Sequence, residues 1–260
     1  MEILKITKSD GNIVPCIMEI PQKLRGIVLA VHGFSSSKEC STYQLLLRRM
    51  PPEDYGVVGI DLPGHGFEES LREELRIKGA LDSIEATENY ITTVWPNKPV
   101  FYFASSFGAY LTGFYISSRP HAGRRAFFRS AAVNMPDLFI KENPTEEDRK
   151  HLEELKTKGW FEMNVETAKP VRITKGMMED FENTDLFSIF DSSAYGGTRV
   201  RMAHGAEDIV IDPNKAKRFA EQFQIPITVF KDEGHSLSDH PETPDRVADL
   251  AIAFYNSQQA

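Results

Sequence analysis

An apolar run, Val100-Phe101-Tyr102-Phe103, is separated from a helical run at residues 109–116 by only five residues, Ala104-Ser105-Ser106-Phe107-Gly108. A passage this short from strand to helix needs a sharp turn, whose tip residue takes strained backbone angles. The positions two before and two after the tip must be small so that strand and helix can approach each other. Around Ser106 those flanks are Ala104 and Gly108; around Ser105 they would be Phe103 and Phe107, which are too bulky. The sequence therefore predicts a strand–turn–helix unit with Ser106 at its tip. Alanine stands at the first flank, where glycine is commoner.

The rest of the chain alternates in the same way. Strand signals at residues 2–7 and 13–20, joined by Ser9-Asp10-Gly11-Asn12, read as a hairpin. Apolar runs at 26–32 and 55–61 read as buried strands, and further strands are predicted at 126–134, 198–203 and 227–230. Helices are predicted near 42–50, 78–94, 213–223 and 244–256. Strands alternating with helices argue for an α/β fold, a mostly parallel sheet covered on both faces. No internal repeat is present, and 260 residues suffice for one such domain with an insertion.

The charge balance limits the partners. A net charge of −8 argues against nucleic acid or an anionic membrane, both of which call for a basic face. The two cysteines, Cys16 and Cys40, cannot form a disulfide framework, and neither they nor the histidines have metal-ligand spacing, so no metal or other cofactor is expected. No basic segment followed by an apolar stretch opens the chain, and nowhere do roughly eighteen apolar residues run together, so a cytoplasmic location is expected.

Four further segments carry chemistry. The strand at 26–31 runs into His32-Gly33-Phe34-Ser35-Ser36-Ser37, and the strand at 55–60 into Asp61-Leu62-Pro63-Gly64-His65-Gly66. Farther on stand His204-Gly205-Ala206-Glu207-Asp208 and Glu233-Gly234-His235-Ser236. Together with the Ser106 turn, in this order and spacing, they resemble the α/β-hydrolase family over residues 26–236, and within it the capped bacterial esterases that include cinnamoyl (feruloyl) esterases. The pattern is also similar to monoacylglycerol lipases and serine aminopeptidase-like hydrolases. The resemblance implies the α/β-hydrolase fold, with residues 1–135 and 196–260 as its core and 136–195 as a cap. That insertion of about sixty residues is far longer than an ordinary connection. It begins with a charged stretch and continues with Trp160, Phe161, Met163, Met177, Met178, Phe181, Phe187, Phe190 and Tyr195. Some of these are expected to line an acyl or aryl pocket and others to form the cap's own core. Asp137, Trp160 and Phe181 are the substrate-contact candidates.

A serine hydroxyl needs a base to take its proton as it attacks, and histidine titrates nearest neutrality. His235, on a Gly-containing loop after the last strand, is the best-placed base. His32 and His65 are read as loop-shaping residues, and His121, His151, His204 and His240 as surface or loop residues. The chain order serine, acid, histidine selects Asp208 as the acid. Asp212 precedes Pro213 and reads as a helix N-cap, while Glu207, Asp232 and Asp239 are outside alternatives. The resemblance places the oxyanion hole at the backbone N–H groups of Phe34 and Phe107. The expected reaction is hydrolysis of a small-molecule carboxylic ester through an acyl-enzyme, and any self-association is expected to be a homodimer. Thioester or amide hydrolysis, acyl transfer, and ligand binding without cleavage stay open as alternatives. Carbon–halogen and epoxide hydrolysis are disfavoured, since those chemistries ordinarily place an aspartate where Ser106 stands.

Overall fold

In the computed structural model, which describes residues 1–66, 73–139, 143–163 and 170–257, three strands are buried at every position: β3 (Gly26–Val31), β4 (Tyr55–Ile60) and β5 (Val100–Ser105). Their continuous apolar character follows from having a layer packed on each face. Along β3, Ile27, Leu29 and Val31 join one core cluster while Val28 and Ala30 join the other, as the two-residue period of a strand requires.

The eight-stranded sheet has the order β1-β2-β4-β3-β5-β6-β9-β10. β1 (Glu2–Thr7) and β2 (Ile13–Glu19) form the predicted hairpin, and β2 alone runs against the rest. β6 (Arg125–Arg129), β9 (Arg199–Gly205) and β10 (Ile227–Phe230) complete the parallel half. One face is covered by α2 (Ile77–Val94), α3 (Phe107–Ser118) and α8 (Pro213–Gln222), the other by α1 (Ser41–Arg49) and α9 (Thr243–Asn256). Both core clusters consist largely of apolar side chains removed from water, the main source of stability in such a layered fold.

One predicted strand is shortened. Residues 126–134 were expected to be extended throughout, but β6 ends at Arg129, opposite Ser105, the last residue of β5. There the chain leaves the ladder: the Ser130 N–H still closes the last β6–β9 ladder bond, to Ala203 O at 2.8 Å, but Ser130 itself takes φ 46° and turns the chain away. The apolar residues that follow, Ala131 to Val133, are buried by packing rather than by pairing.

Between β6 and β9 lie α4 (Pro136–Phe139), α5 (Glu146–Lys158), the hairpin of β7 (Trp160–Met163) with β8 (Val171–Thr174), α6 (Lys175–Asn183) and α7 (Leu186–Ile189). α5 is the charged stretch read from the sequence; it buries none of its residues, starts on a Thr145–Asp148 capping box and stops at Gly159, φ 82°. α6 is tied to the body of the molecule. Asp180 accepts from Arg76 Nε at 2.8 Å and Nη2 at 2.7 Å, and its Oδ2 also takes the Ile77 N–H at 2.9 Å, so a carboxylate from the insertion caps α2. Phe161, Met177, Met178, Phe181 and Phe190 are buried within the same cluster as the sheet face, rather than in a separate core of their own.

Candidate active site

Ser106 sits where β5 hands over to α3, at φ 50° and ψ −116°. A non-glycine residue holds such angles only when its surroundings fix them. Here the Ser106 N–H bonds Arg129 O at 2.9 Å, and its carbonyl accepts from Ala109 N at 3.0 Å and Ala132 N at 3.2 Å. The small flanks have a measurable reason. A Cβ added to Gly108 would lie 2.3 Å from Val31 O, so only glycine lets α3 come this close to the end of β3. Ser105 is buried, and its Oγ has no hydrogen-bond partner among the described residues.

His235 joins the serine to the acid. Its Nε2 lies 3.0 Å from Ser106 Oγ and its Nδ1 2.8 Å from Asp208 Oδ2. With Nδ1–H donating to the carboxylate, Nε2 is free to accept the serine proton. The ring is carried by a loop that is fastened at several points. Ser130 Oγ donates to His235 O at 2.7 Å, Gly234 N to Asp239 Oδ2 at 2.6 Å, and the buried Glu233 carboxylate accepts from Asp239 N and His240 N at 3.0 and 3.1 Å. Asp208 is buried and fully engaged: Oδ1 takes the Val210 and Ile211 N–H groups, each at 2.9 Å, while Oδ2 faces both His235 and His204, the latter at 3.1 Å. Burial pushes the Asp208 carboxyl up, but the hydrogen bonds from His204 and His235 outweigh it, and the group is held well below the usual carboxylate range. Asp212 accepts from Asn214 N at 2.9 Å, the N-cap of α8.

The loop carrying Phe34 passes over the serine, since a Cβ built on Gly33 would stand 3.2 Å from Ser106 Cβ. It is held from below. His32 donates Nδ1–H to Gly33 O at 2.7 Å and accepts Leu62 N–H on Nε2 at 3.1 Å, while Asp61 takes Lys38 N at 2.6 Å and Lys38 Nζ at 2.9 Å. Both loop histidines are buried; burial pulls His32 down to about 3 and His65 to about 4, so both are neutral near pH 7 and suited to shaping loops, as the sequence suggested. The Phe107 N–H belongs to the first turn of α3, whose N–H groups have no partner within the helix and whose dipole favours negative charge.

The substrate-contact candidates separate. Phe181 is buried, stacks on Phe139 with ring centres 4.7 Å apart and meets Phe107 edge-on at 6.3 Å, and Phe34 meets Phe107 at 5.8 Å, so four rings form one cluster around Phe107, the residue after Ser106. Asp137 pairs with Lys215 of α8 at the rim of a cavity of about 330 Å³ that also reaches Asp208, Leu138 and Ile209. Trp160 lies elsewhere, on β7, with the Arg172 guanidinium 4.0 Å above its ring. His204 and Ser130 were missed in the sequence, His204 having been read as a surface or loop residue. The signal for His204 was its place in the apolar end of β9, four residues before the acid.

Among the described residues there is no cluster of metal-ligating side chains and no helix long and apolar enough to cross a membrane.

A family model described as Hydrolase_4: Serine aminopeptidase, S33, matches residues 22–179. Solved structures share the fold over nearly the whole length. Est1E from Butyrivibrio proteoclasticus with ferulic acid bound superposes with TM-score 0.78 at 13% identity, covering 98% of this chain and 100% of that one. A monoacylglycerol lipase from Paleococcus ferrophilus gives 0.70 at 16%, covering 98% of each, and the esterase domain of a Rhodothermus marinus protein 0.71 at 15%, also covering 98% of each. A search of curated proteins finds no match. The chain belongs to the Hydrolase_4 (serine aminopeptidase, S33) family, a serine-hydrolase family of the α/β-hydrolase fold.

Proposed function

We propose that the protein hydrolyses carboxylic esters through an acyl-enzyme, with Ser106 as nucleophile, His235 as general base and acid, and Asp208 as the group that orients His235. The observation that carries this reading is the continuous relay from Asp208 Oδ2 through His235 to Ser106 Oγ, with links of 2.8 and 3.0 Å. Ser106 Oγ attacks the ester carbonyl carbon as its proton passes to His235 Nε2, and the carbonyl oxygen becomes an oxyanion met by the Phe34 and Phe107 N–H groups. Collapse of this adduct breaks the bond to the alcohol oxygen, which leaves with the proton from His235. Water, deprotonated by the same ring, then releases the acid. Every proton in this cycle is carried by the protein and water.

Residues 136–195 act in this reading as a cap, and the half-buried rings of Phe34 and Phe139, backed by the buried Phe107 and Phe181, offer an aromatic wall to a small to medium acyl or aryl group, the cinnamoyl type included. The ferulic acid bound in Est1E supports that choice of substrate class. Asp137 is a polar contact at the cavity rim, whereas Trp160, occupied by Arg172, is left out of the pocket. The family's description makes aminoacyl amides the second reading. Turnover of p-nitrophenyl acetate, methyl ferulate and aminoacyl p-nitroanilides by the wild type, against Ser106→Ala, tests both. Ester turnover lost in the variant is expected; faster cleavage of the anilides than of any ester would replace the first reading by the second.

A further inference from the structure

Asp208 serves two imidazoles. His235 Nδ1 and His204 Nε2 approach the same carboxylate oxygen, Oδ2, at 2.8 and 3.1 Å. His204 stands near the end of β9, is wholly buried, and takes no direct part in the relay to Ser106. Both neighbours of its Nε2, Asp208 Oδ2 and Ile211 O at 3.2 Å, can only accept, so Nε2 carries a proton, which it donates to Ile211 O while standing 3.1 Å from Oδ2. Nδ1 is buried and has no hydrogen-bond partner among the described residues. A proton there would be a buried, unpaired donor, so the neutral Nε2–H tautomer is the one the surroundings favour.

We propose that His204 is a positioning residue for the hydrolytic reaction, pinning Asp208 Oδ2 toward His235 and drawing off part of the carboxylate's charge. The inference deepens the esterase reading and rests on it for its kinetic consequence. Oδ1 is fixed by two backbone N–H groups, but without His204 only His235 itself, a ring that must exchange protons in each turnover, would hold Oδ2. Other charged groups around it, among the described residues, are Arg129 of β6, which acts electrostatically on both Asp208 and Glu233, and Asp137, Asp212 and Lys215, which line the same cavity. A variant at His204 changes none of these.

Removing the shared donor leaves more negative charge facing His235 Nδ1, which favours the protonated ring, so the acidic limb of kcat/KM moves to higher pH. A His204→Leu variant, shown to be folded by near-ultraviolet circular dichroism, is expected to lose between about tenfold and a hundredfold in kcat, the scale of one hydrogen bond to a charged group, with the acidic limb displaced upward. His204→Gln, whose amide N–H can occupy the place of Nε2–H, is expected to recover most of the rate and the original limb. Equal losses in both variants with an unmoved pH profile would mean that His204 only fills space, and would overturn the proposal. A second readout does not depend on turnover: ring ¹⁵N spectra of the wild type are expected to report a His204 protonated on Nε2. A His204 protonated on Nδ1 alone would overturn the inference even in an active esterase. The expected spectra in a protein that cleaves no ester would overturn the functional reading and leave the shared carboxylate standing.

Discussion

Ser105 and Ser106 are neighbours in sequence with opposite environments, and the difference is one of backbone geometry. Ser106 occupies the strained tip, 3.0 Å from His235 Nε2, while the Ser105 hydroxyl is buried without a partner among the described residues. A fluorophosphonate probe is therefore expected to label the wild type and Ser105→Ala but not Ser106→Ala; labelling of Ser106→Ala at the wild-type rate would show that the nucleophile is another residue. The acid permits a sharper test. Because Asp208 Oδ1 already takes two backbone N–H groups, an asparagine there would keep its oxygen on that side and turn its NH₂ toward His235 Nδ1. The ring would then carry its proton on Nε2 and could not accept from Ser106. Asp208→Asn is expected to cut kcat by about 10⁴ without unfolding the protein, and Asp212→Asn, at a helix cap that tolerates asparagine, to cost little. Steady-state kinetics decide, and a crippled Asp212→Asn would reverse the assignment. Ser106, Asp208 and His235 were readable in sequence because each stands at a strand end beside small, turn-forming residues. His204 and Ser130 were not, because what they do depends on a partner 4 and 105 residues away in the chain that only the folded molecule brings into reach.

At the scale of elements, the crossing of α3 over the end of β3 decides whether the turn can exist. Two glycines on α3 give a paired test. An added methyl at Gly108 meets backbone, Val31 O at 2.3 Å and His32 O at 2.5 Å, neither of which can move without displacing β3. At Gly113 it meets side chains, the tips of Leu186 at 3.1 Å, which can rotate, and Phe190 Cδ2 at an ordinary 3.6 Å. Gly108→Ala is expected to destabilise the protein by at least about 2 kcal/mol and to abolish probe labelling, whereas Gly113→Ala costs much less, since alanine also favours the helix. Denaturant unfolding of the pair would show it, and equal midpoints would mean the close approach is not needed. The proposed aromatic wall belongs to this scale too: Phe139→Ala, at its half-buried face, is expected to lower kcat/KM for a cinnamoyl ester by roughly tenfold or more while changing an acetyl ester little, since a pocket wall discriminates by contact. A uniform loss on both esters would argue that Phe139 supports the fold instead. The main elements were legible because buried parallel strands read as unbroken apolar runs. The end of β6 was not, because Ala131 to Val133 are as apolar as a strand, and it is the positive φ of Ser130, just after its last ladder bond to Ala203, that turns them out of the sheet. That Asp180 caps a helix 103 residues earlier was likewise invisible in the sequence around either one.

Across the whole molecule, the features that shape the site also set its response to acid. His32 and His65, the supports beneath the Phe34 loop, are buried and neutral, with burial drawing them from an ordinary 6.5 down to about 3 and about 4. An unfolded chain binds protons at these rings below about pH 6.5 while the folded protein does not, so stability is full above that value and falls as pH drops toward the folded-state values. Asp208, held below its ordinary value, acts in the same direction in a lower window, keeping its contribution above about pH 4 and losing it as pH falls further. The unfolding midpoint is thus expected to decline between about pH 6.5 and about pH 4, before most carboxylates titrate. His65→Asn offers the control. The histidine donates Nδ1–H to Pro63 O at 2.8 Å, a bond that an asparagine amide can replace without bringing a titratable ring. Its midpoint at neutral pH can fall through lost packing, but its decline with acid is expected to be shallower than that of the wild type. Thermal unfolding of both proteins across this range measures the two slopes, and parallel slopes would mean that the acid sensitivity lies elsewhere than in the loops that hold the site.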